Sequence, residues 1–100
     1  MESSLETLVH SEKLVLLDFH ALWCGPCRAM MPVLDALESE MGDRLQIVKI
    51  DVDEHTDLAV QMNVMGIPTL MLYQHGKELW RQPGVLTKAA LTQVIEAVES

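Results

Sequence analysis

The sequence predicts an α/β domain in which a mixed four-stranded sheet is flanked by helices. Two apolar segments of strand length, residues 14–19 and 45–52, bracket a helical pattern. A strand–helix–strand unit of this kind has parallel strands and a right-handed crossover. Two further segments, residues 69–73 and 78–81, flank Gly76 as the arms of an antiparallel hairpin do, so the sheet contains both strand directions.

A short helix and a buried strand are expected first. Ser3 is placed to accept a hydrogen bond from the Glu6 amide while the Glu6 side chain reaches back, an arrangement known as a capping box. The apolar side of this helix is made by Leu5, Leu8 and Val9. The near-continuous apolar run of residues 14–19 (LVLLDF) is typical of a strand covered on both faces, and Asp18 is its one charge.

The second helix is expected to begin near Pro26, because a first helical turn does not need the N–H that proline lacks. Its apolar side recurs at helical spacing through Met30, Val33, Leu34, Leu37 and Met41. Gly42 is expected to end this helix, and the parallel strand 45–52 (LQIVKIDV) follows.

Two further helices are expected in the carboxyl-terminal half. Residues 56–62 predict a short helix capped by Thr56, and the hairpin follows it. Thr87 is expected to cap the final helix through its hydroxyl. The apolar positions of that helix are Leu91, Val94, Ile95 and Val98.

The composition restricts the partners and the compartment. Of the 100 residues 49% are hydrophobic and 22% charged, which suits one globular domain, residues 1–100. A formal net charge of −8 would repel phosphate backbones and anionic lipid, so neither nucleic acid nor a membrane is expected as a partner. The opening residues lack a basic-then-apolar leader, and no apolar run approaches the roughly 18 residues of a membrane span. We therefore expect a cytoplasmic protein.

The two cysteines of the chain stand together in residues 23–27 (WCGPC). A disulfide that closes so short a loop removes little chain entropy, so a purely structural role is disfavoured. In a reducing compartment a close pair is more often catalytic or metal-binding. A zinc site would need further ligands, and no two of the four histidines stand at a paired metal spacing: His10, His20, His55 and His75. No metal is therefore expected.

The predicted position of the cysteines favours thiol chemistry. Cys24 follows the first strand and Cys27 lies in the first helical turn, where free N–H groups and the helix dipole favour a thiolate. Cys24, the outer residue, is expected to attack a disulfide, and Cys27 to resolve the mixed disulfide. Because Pro26 offers no N–H to the thiolate, the pair favours a reductant over an oxidant.

Six landmarks in order resemble the thioredoxin family, from residue 14 to the carboxyl terminus. They are residues 15–19 (VLLDF), residues 23–28 (WCGPCR), Pro32, residues 48–51 (VKID), residues 66–70 (GIPTL) and Gly84. The resemblance implies a thioredoxin fold and a protein thiol-disulfide oxidoreductase without a bound cofactor, whose redox-active group is the Cys24–Cys27 disulfide. Its implied partners are disulfide-containing client proteins and a reductase that uses NADPH and flavin.

The resemblance also implies roles for single residues. Asp18 resembles a buried carboxylate that relays a proton for the resolving thiol; desolvation in a doubly covered strand would raise its pKa toward that use, although a structural aspartate is the alternative. Lys49 resembles a lysine near that carboxylate, and an ordinary solvated lysine is the alternative. Pro68 resembles a cis proline facing the disulfide. The implied substrate groove is made by Trp23, Gly25, Pro26, Gly66, Ile67, Pro68 and Gly84.

His20 departs from the family, which usually has an aromatic residue two positions after the buried aspartate. Strand alternation puts Asp18 and His20 on the same face, so an imidazole lies near the dithiol. We expect a protonated His20 to favour the Cys24 thiolate and to make the redox potential more oxidising as pH falls. A histidine that merely packs is the alternative.

The beginning of the chain also departs from the family, which places a strand before its first helix. Without that strand the sheet has four strands instead of five, and residues 45–52 form an unprotected edge. We expect either a monomer whose edge is solvated through Gln46 and Lys49, or a dimer paired through this edge.

Two other functions remain open at this point. A thioredoxin-like scaffold or co-chaperone would have the same fold, since fold alone does not define function. Such a scaffold would not require both thiols, the Gly-Pro pair and the buried aspartate together. An oxidant of the periplasmic kind would reverse the reaction, and Pro26 argues against it.

Overall fold

In the computed structural model, which describes residues 3–99, the helices and strands follow one another in the predicted order. The elements are helix α1 (Ser3–Val9), strand β1 (Leu14–His20), helix α2 (Gly25–Met41), a 3₁₀ turn (Gly42–Arg44), strand β2 (Leu45–Asp51), helix α3 (Thr56–Gln61), strand β3 (Thr69–Gln74), strand β4 (Lys77–Pro83) and helix α4 (Lys88–Glu99). None of the helices in this part of the chain is long and apolar enough to cross a membrane.

The sheet is mixed and has the strand order β2-β1-β3-β4. Strand β1 runs parallel to β2, with Asp18 in register with Lys49 and His20 in register with Asp51. Strand β3 is antiparallel to β1, and β4 is antiparallel to β3. The predicted mixed four-stranded sheet is thus confirmed, and within residues 3–99 β2 is an edge strand.

Helices cover both faces of the sheet, which explains the continuous apolar run of β1. Alternate residues of a strand point to opposite faces. Leu16 lies with α2 and α4 on one face, in a cluster that includes Met30, Leu34, Leu91 and Ile95. Leu17 and Phe19 lie on the other face with α1 and α3, in a cluster that includes Leu5, Val9, Leu58 and Met62. Each fully buried leucine of this kind contributes about 1.5–3 kcal/mol to folding.

The helix ends follow the predictions with one correction. Gly42 ends α2 in a positive-φ conformation, and its N–H bonds to the Glu38 carbonyl. The Thr87 hydroxyl oxygen accepts from the Ala90 amide at 3.0 Å, as a cap should. The cap predicted at Thr56 is wrong: Thr56 is the first residue of α3, and its hydroxyl donates to the Val52 carbonyl. The predictions that Ser3 caps α1 and that Leu8 lies on its apolar side concern side chains outside the described part of the chain.

Candidate active site

The two cysteines form a disulfide where β1 leads into α2. Cys24 is the N-cap of α2, and its sulfur accepts a hydrogen bond from the Cys27 amide at 3.1 Å. Pro26 occupies the first helical turn, as predicted. The free amides and the dipole at this helix end favour a thiolate on Cys24. Both cysteine residues are buried against Ala21, so their exposure does not distinguish attacker from resolver, and that order stays a prediction.

The loop before β3 lies opposite the disulfide. Its Ile67–Pro68 peptide bond is cis, as the resemblance implied, and the Ile67 carbonyl oxygen is 4.0 Å from the Cys24 sulfur. The Gly84 amide donates to the Pro68 carbonyl at 2.8 Å, which joins the end of β4 to this loop. Gly84 has a φ of 93°, a conformation that favours glycine. The structure therefore places Ile67 beside Cys24 and Gly84 beside Pro68.

Trp23, which immediately precedes Cys24 in the chain, has an exposed indole. Its Nε1 donates to the Asp53 carboxylate at 2.8 Å, and the Asp53 amide in turn donates to Asp51. The sequence analysis missed Asp53. A signal for it existed, because parallel strands end at the same edge of a sheet, and Asp53 follows β2 as Trp23 follows β1.

Asp18 is a buried carboxylate without a full set of partners. The residue is 4% exposed, and its Oδ1 has no hydrogen-bond partner among the described residues. Burial raises the pKa of Asp18 above its ordinary range, and the nearby His20 and Lys49 only partly oppose this. Lys49 itself reaches the surface, where its Nζ lies 3.5 Å from the Asp35 carboxylate. The desolvated aspartate inferred from the sequence is thus present.

His20 lies on the same face as Asp18, as strand alternation predicted. Its Nδ1 is 3.4 Å from the Asp18 backbone carbonyl and 4.0 Å from the Asp18 Oδ2. Both residues line a cavity of about 140 Å³, whose lining is Asp18, His20, Ala21, Leu22, Cys27, Arg28, Met31 and Lys49. The cavity therefore joins the imidazole to the carboxylate and to Cys27.

Arg28 is a second residue that the sequence analysis did not single out as a site residue. Its guanidinium donates to the Leu22 carbonyl at 2.8 Å and so fixes the segment between β1 and α2. No group of three or more histidine, cysteine, aspartate or glutamate side chains placed to hold a metal ion was found within residues 3–99.

Comparisons with known proteins agree with this geometry. The family model described as thioredoxin matches residues 2–97. The thioredoxin of Bacillus subtilis is 48% identical over 85 residues, which are 85% of this chain and 82% of that protein. The chloroplastic thioredoxin Y of rice, Oryza sativa subsp. japonica, is 41% identical over 92 residues; these are 92% of this chain and 55% of that protein's length.

A solved structure gives the same result in three dimensions. The oxidised form of mitochondrial thioredoxin 3 from Saccharomyces cerevisiae superposes with a TM-score of 0.85 at 33% identity. The match covers 95% of this chain and 88% of the yeast protein.

Proposed function

The chain belongs to the thioredoxin family of thiol-disulfide oxidoreductases, and on that premise we propose that it is a general reductant of protein disulfides. The observation that carries the proposal is the position of the Cys24–Cys27 pair. It lies at the amino terminus of α2, between the loop that contains Pro68 and the cavity that contains Asp18.

The reaction proceeds through two exchanges at sulfur. The Cys24 thiolate attacks a client disulfide, so that a bond between Cys24 and one client sulfur forms and the client S–S bond breaks. Cys27 then gives its proton to Asp18, and its thiolate attacks Cys24. The Cys24–Cys27 disulfide forms and the second client thiolate leaves. Two electrons have passed from the dithiol to the client.

The surroundings of the dithiol support this division of roles. The Cys27 amide donates to the Cys24 sulfur, a contact that a thiolate would strengthen. Asp18 shares its cavity with Cys27, as a proton acceptor for the resolving thiol must. Lys49, which lies in register with Asp18, opposes the rise in the Asp18 pKa and so favours the carboxylate that accepts the proton.

The client chain binds in the groove around Cys24. The exposed Trp23 forms one wall, and the loop at Pro68 forms the other. Gly25 and Pro26, at the start of α2, and Gly66, Ile67 and Gly84, around the loop, would supply the other contacts with the client. An extended client segment would pair with the backbone of this loop in the manner of an added strand.

The dithiol itself carries the electrons, so the protein works without a bound cofactor. A thioredoxin reductase that uses NADPH and flavin would return the electrons, as the family relationship suggests. Such a cycle requires a reducing compartment, for which we propose the cytoplasm, although the rice relative is named chloroplastic. The net charge of −8 argues against nucleic acid as a partner.

We propose that the active form is a monomer. The edge strand β2 carries Gln46 and the exposed Lys49, and a charged edge opposes pairing with another strand. Sedimentation equilibrium over a wide range of protein concentration should give the monomer mass throughout. A mass that doubles with concentration, and returns to the monomer value when proline replaces Ile47, would establish the edge-paired dimer instead.

Turnover tests the proposed function. The wild-type protein, supplied with dithiothreitol, should reduce the disulfides of a protein client catalytically, and Cys24→Ser should abolish this. Cys27→Ser should instead accumulate a mixed disulfide with the client on Cys24, detectable by mass spectrometry. Binding of clients without turnover by the wild type would favour the scaffold alternative.

A further inference from the structure

The proposed reaction leaves a proton on a buried group. Each resolving step transfers the Cys27 proton to Asp18, and Asp18 is 4% exposed, with its Oδ1 unpartnered among the described residues. A carboxyl group in such a site exchanges protons with solvent only through another group or through water. The route of this proton is therefore a separate question, which rests on the proposed function.

His20 is the group that connects this carboxyl to the surface. Its side chain is 22% exposed, and its Nδ1 lies 4.0 Å from Asp18 Oδ2. The bond from Nδ1 to the Asp18 backbone carbonyl is long, at 3.4 Å, so little hydrogen-bond energy opposes a turn of the ring toward the carboxylate. The cavity of about 140 Å³ has room for bridging water, which occupies about 30 Å³ per molecule in the liquid.

The other polar groups that line the cavity are less suited to this task. Lys49 and Arg28 carry cationic groups, which have no lone pair to accept a proton, and each is engaged elsewhere: Lys49 with Asp35, and Arg28 with the Leu22 carbonyl. An imidazole both accepts and donates protons near neutral pH.

One further carboxylate belongs to the neighbouring position of strand β2. Asp51 lies in register with His20, and its Oδ1 accepts the Asp53 amide. On the other side of β1, the register partner of Asp18 is the apolar Leu70 of β3. The charges around the pair therefore come from β1, β2 and α2.

We propose that His20 is the proton carrier between Asp18 and solvent during the resolving step. The proton passes from the Cys27 sulfur to Asp18, from Asp18 to a His20 ring nitrogen, directly or through water, and from the exposed ring to solvent. The electron pair stays on the Cys27 sulfur, which forms the new bond to Cys24 as the client thiolate leaves. His20 acts through Asp18 and is thus a positioning and relay residue that touches no reacting sulfur.

The structure changes which cysteine His20 is expected to affect. The sequence analysis assigned its effect to the Cys24 thiolate, whereas the cavity that it lines contains Cys27. The effect on Cys24 and on the redox potential stays a prediction. The relay instead predicts a defect confined to the second sulfur exchange, which separates the two hypotheses.

A small aromatic disulfide resolves the two exchanges in time. The reduced protein, mixed with 5,5′-dithiobis(2-nitrobenzoate) in a stopped-flow instrument, should release one coloured thiolate when Cys24 attacks and a second when Cys27 attacks. In His20→Gln the second release should slow by about three- to tenfold near neutral pH while the first is unchanged, since water replaces a positioned acid–base group. Added imidazole should restore the second release.

Two further variants control the experiment. His20→Phe places an aromatic ring without an acid–base group at this position and should show the same slow second release. His75→Asn removes an exposed histidine in the hairpin turn, at a positive φ that asparagine tolerates, and should change neither release.

The outcomes separate the relay from the proposed function. A wild type that releases no coloured thiolate, although both thiols are reduced, overturns the proposed function. A biphasic wild type with an unchanged second release in both His20 variants overturns the relay alone. A slow second release that imidazole fails to restore in His20→Gln also overturns it, because packing rather than proton transfer would then explain the defect.

Discussion

Within residues 3–99, each face of the sheet carries a cluster of ionisable side chains, and these two clusters differ in how their charges are partnered. On the face covered by α2, Asp18 is buried with an unpartnered oxygen among the described residues. On the opposite face, Arg81 makes a two-point contact with Glu78, at 2.7 and 2.9 Å, and the Tyr73 hydroxyl donates to the same carboxylate.

The second cluster is a structural device. Arg81 also donates to the Met62 carbonyl at 2.9 Å, so it joins β4 to the end of α3. Its hydrogen bonds lower the pKa of Glu78, and burial raises the pKa of Tyr73 to about 12, so all three groups hold one charge state through the physiological range. Asp18 differs, because burial disfavours its ionised form and raises its pKa. A carboxylate of that kind indicates chemistry rather than support.

The largest effect should come from Asp18→Asn, which keeps the shape of the side chain and removes its ability to accept a proton. We expect the resolving release of thiolate to slow by about 10- to 100-fold, at or below the low end of what positioned general bases contribute. The first release, at Cys24, should change little. Stopped-flow measurement with the aromatic disulfide gives the rates of the two releases separately. Equal slowing of both releases would contradict the assigned role of Asp18.

The same substitution should stabilise the protein at neutral pH, by about 1–3 kcal/mol if Asp18 costs what unsatisfied buried groups usually do. The pKa of Asp18 is raised in the folded state, so folded protein binds this proton more tightly than unfolded protein does. The destabilisation therefore grows as pH rises through the folded pKa and vanishes below the unfolded value. Urea unfolding from pH 4 to 8 measures it.

Asp43→Asn is the matched control for this titration, since Asp43 is an exposed aspartate in the 3₁₀ turn. Its stability difference should be small at every pH. A gain at neutral pH that is equal in the two variants would reflect the lowered net charge instead of the burial of Asp18.

The sequence predicted the Asp18 side of the molecule better than the other side. The apolar run around Asp18 implied burial on both faces, and strand alternation placed His20 beside it, because both signals are local. The landmarks of the family added the loop at Pro68. Local signals could not show which of the two cysteines shares a cavity with His20. That depends on how α2 packs over β1, which places Cys27 in the cavity that His20 lines.

The Tyr73–Glu78–Arg81 cluster and the Trp23–Asp53 contact were not predicted at all. Each joins residues from different elements. Surface charges such as those of Glu78 and Arg81 give no sign of their partners in the sequence, whereas the shared edge at which β1 and β2 end could have indicated the Trp23–Asp53 contact. The error at Thr56 has a similar origin. A threonine before a helical segment predicts a cap, but the turn after β2 carries the chain into α3 one residue earlier, with His55 at the cap position.

On the opposite face, Arg81→Met should destabilise the protein by about 1–2 kcal/mol, because the Met62 carbonyl and the Glu78 carboxylate both lose the guanidinium as a donor. The rates of the two thiolate releases should not change. Arg44→Met is the matched control, since Arg44 forms an exposed pair with Glu99 and should have a smaller effect. An equal loss in both variants, measured by urea unfolding, would show that the contact with α3 contributes nothing.

The smallest effect should come from Glu78→Gln, and its sign matters more than its size. Arg81 lowers the pKa of Glu78, so the stabilisation by the carboxylate is present above the ordinary glutamate range and is lost as pH falls through the lowered value. The pair is about one-third exposed, so we expect a loss of less than about 1 kcal/mol at neutral pH.

Two carboxylate-to-amide substitutions, Asp18→Asn and Glu78→Gln, should thus change the free energy of unfolding in opposite directions at pH 7 and converge toward no effect in acid. If both substitutions changed the free energy of unfolding in the same direction, the presence or absence of hydrogen-bond partners would not explain the difference between the two carboxylates.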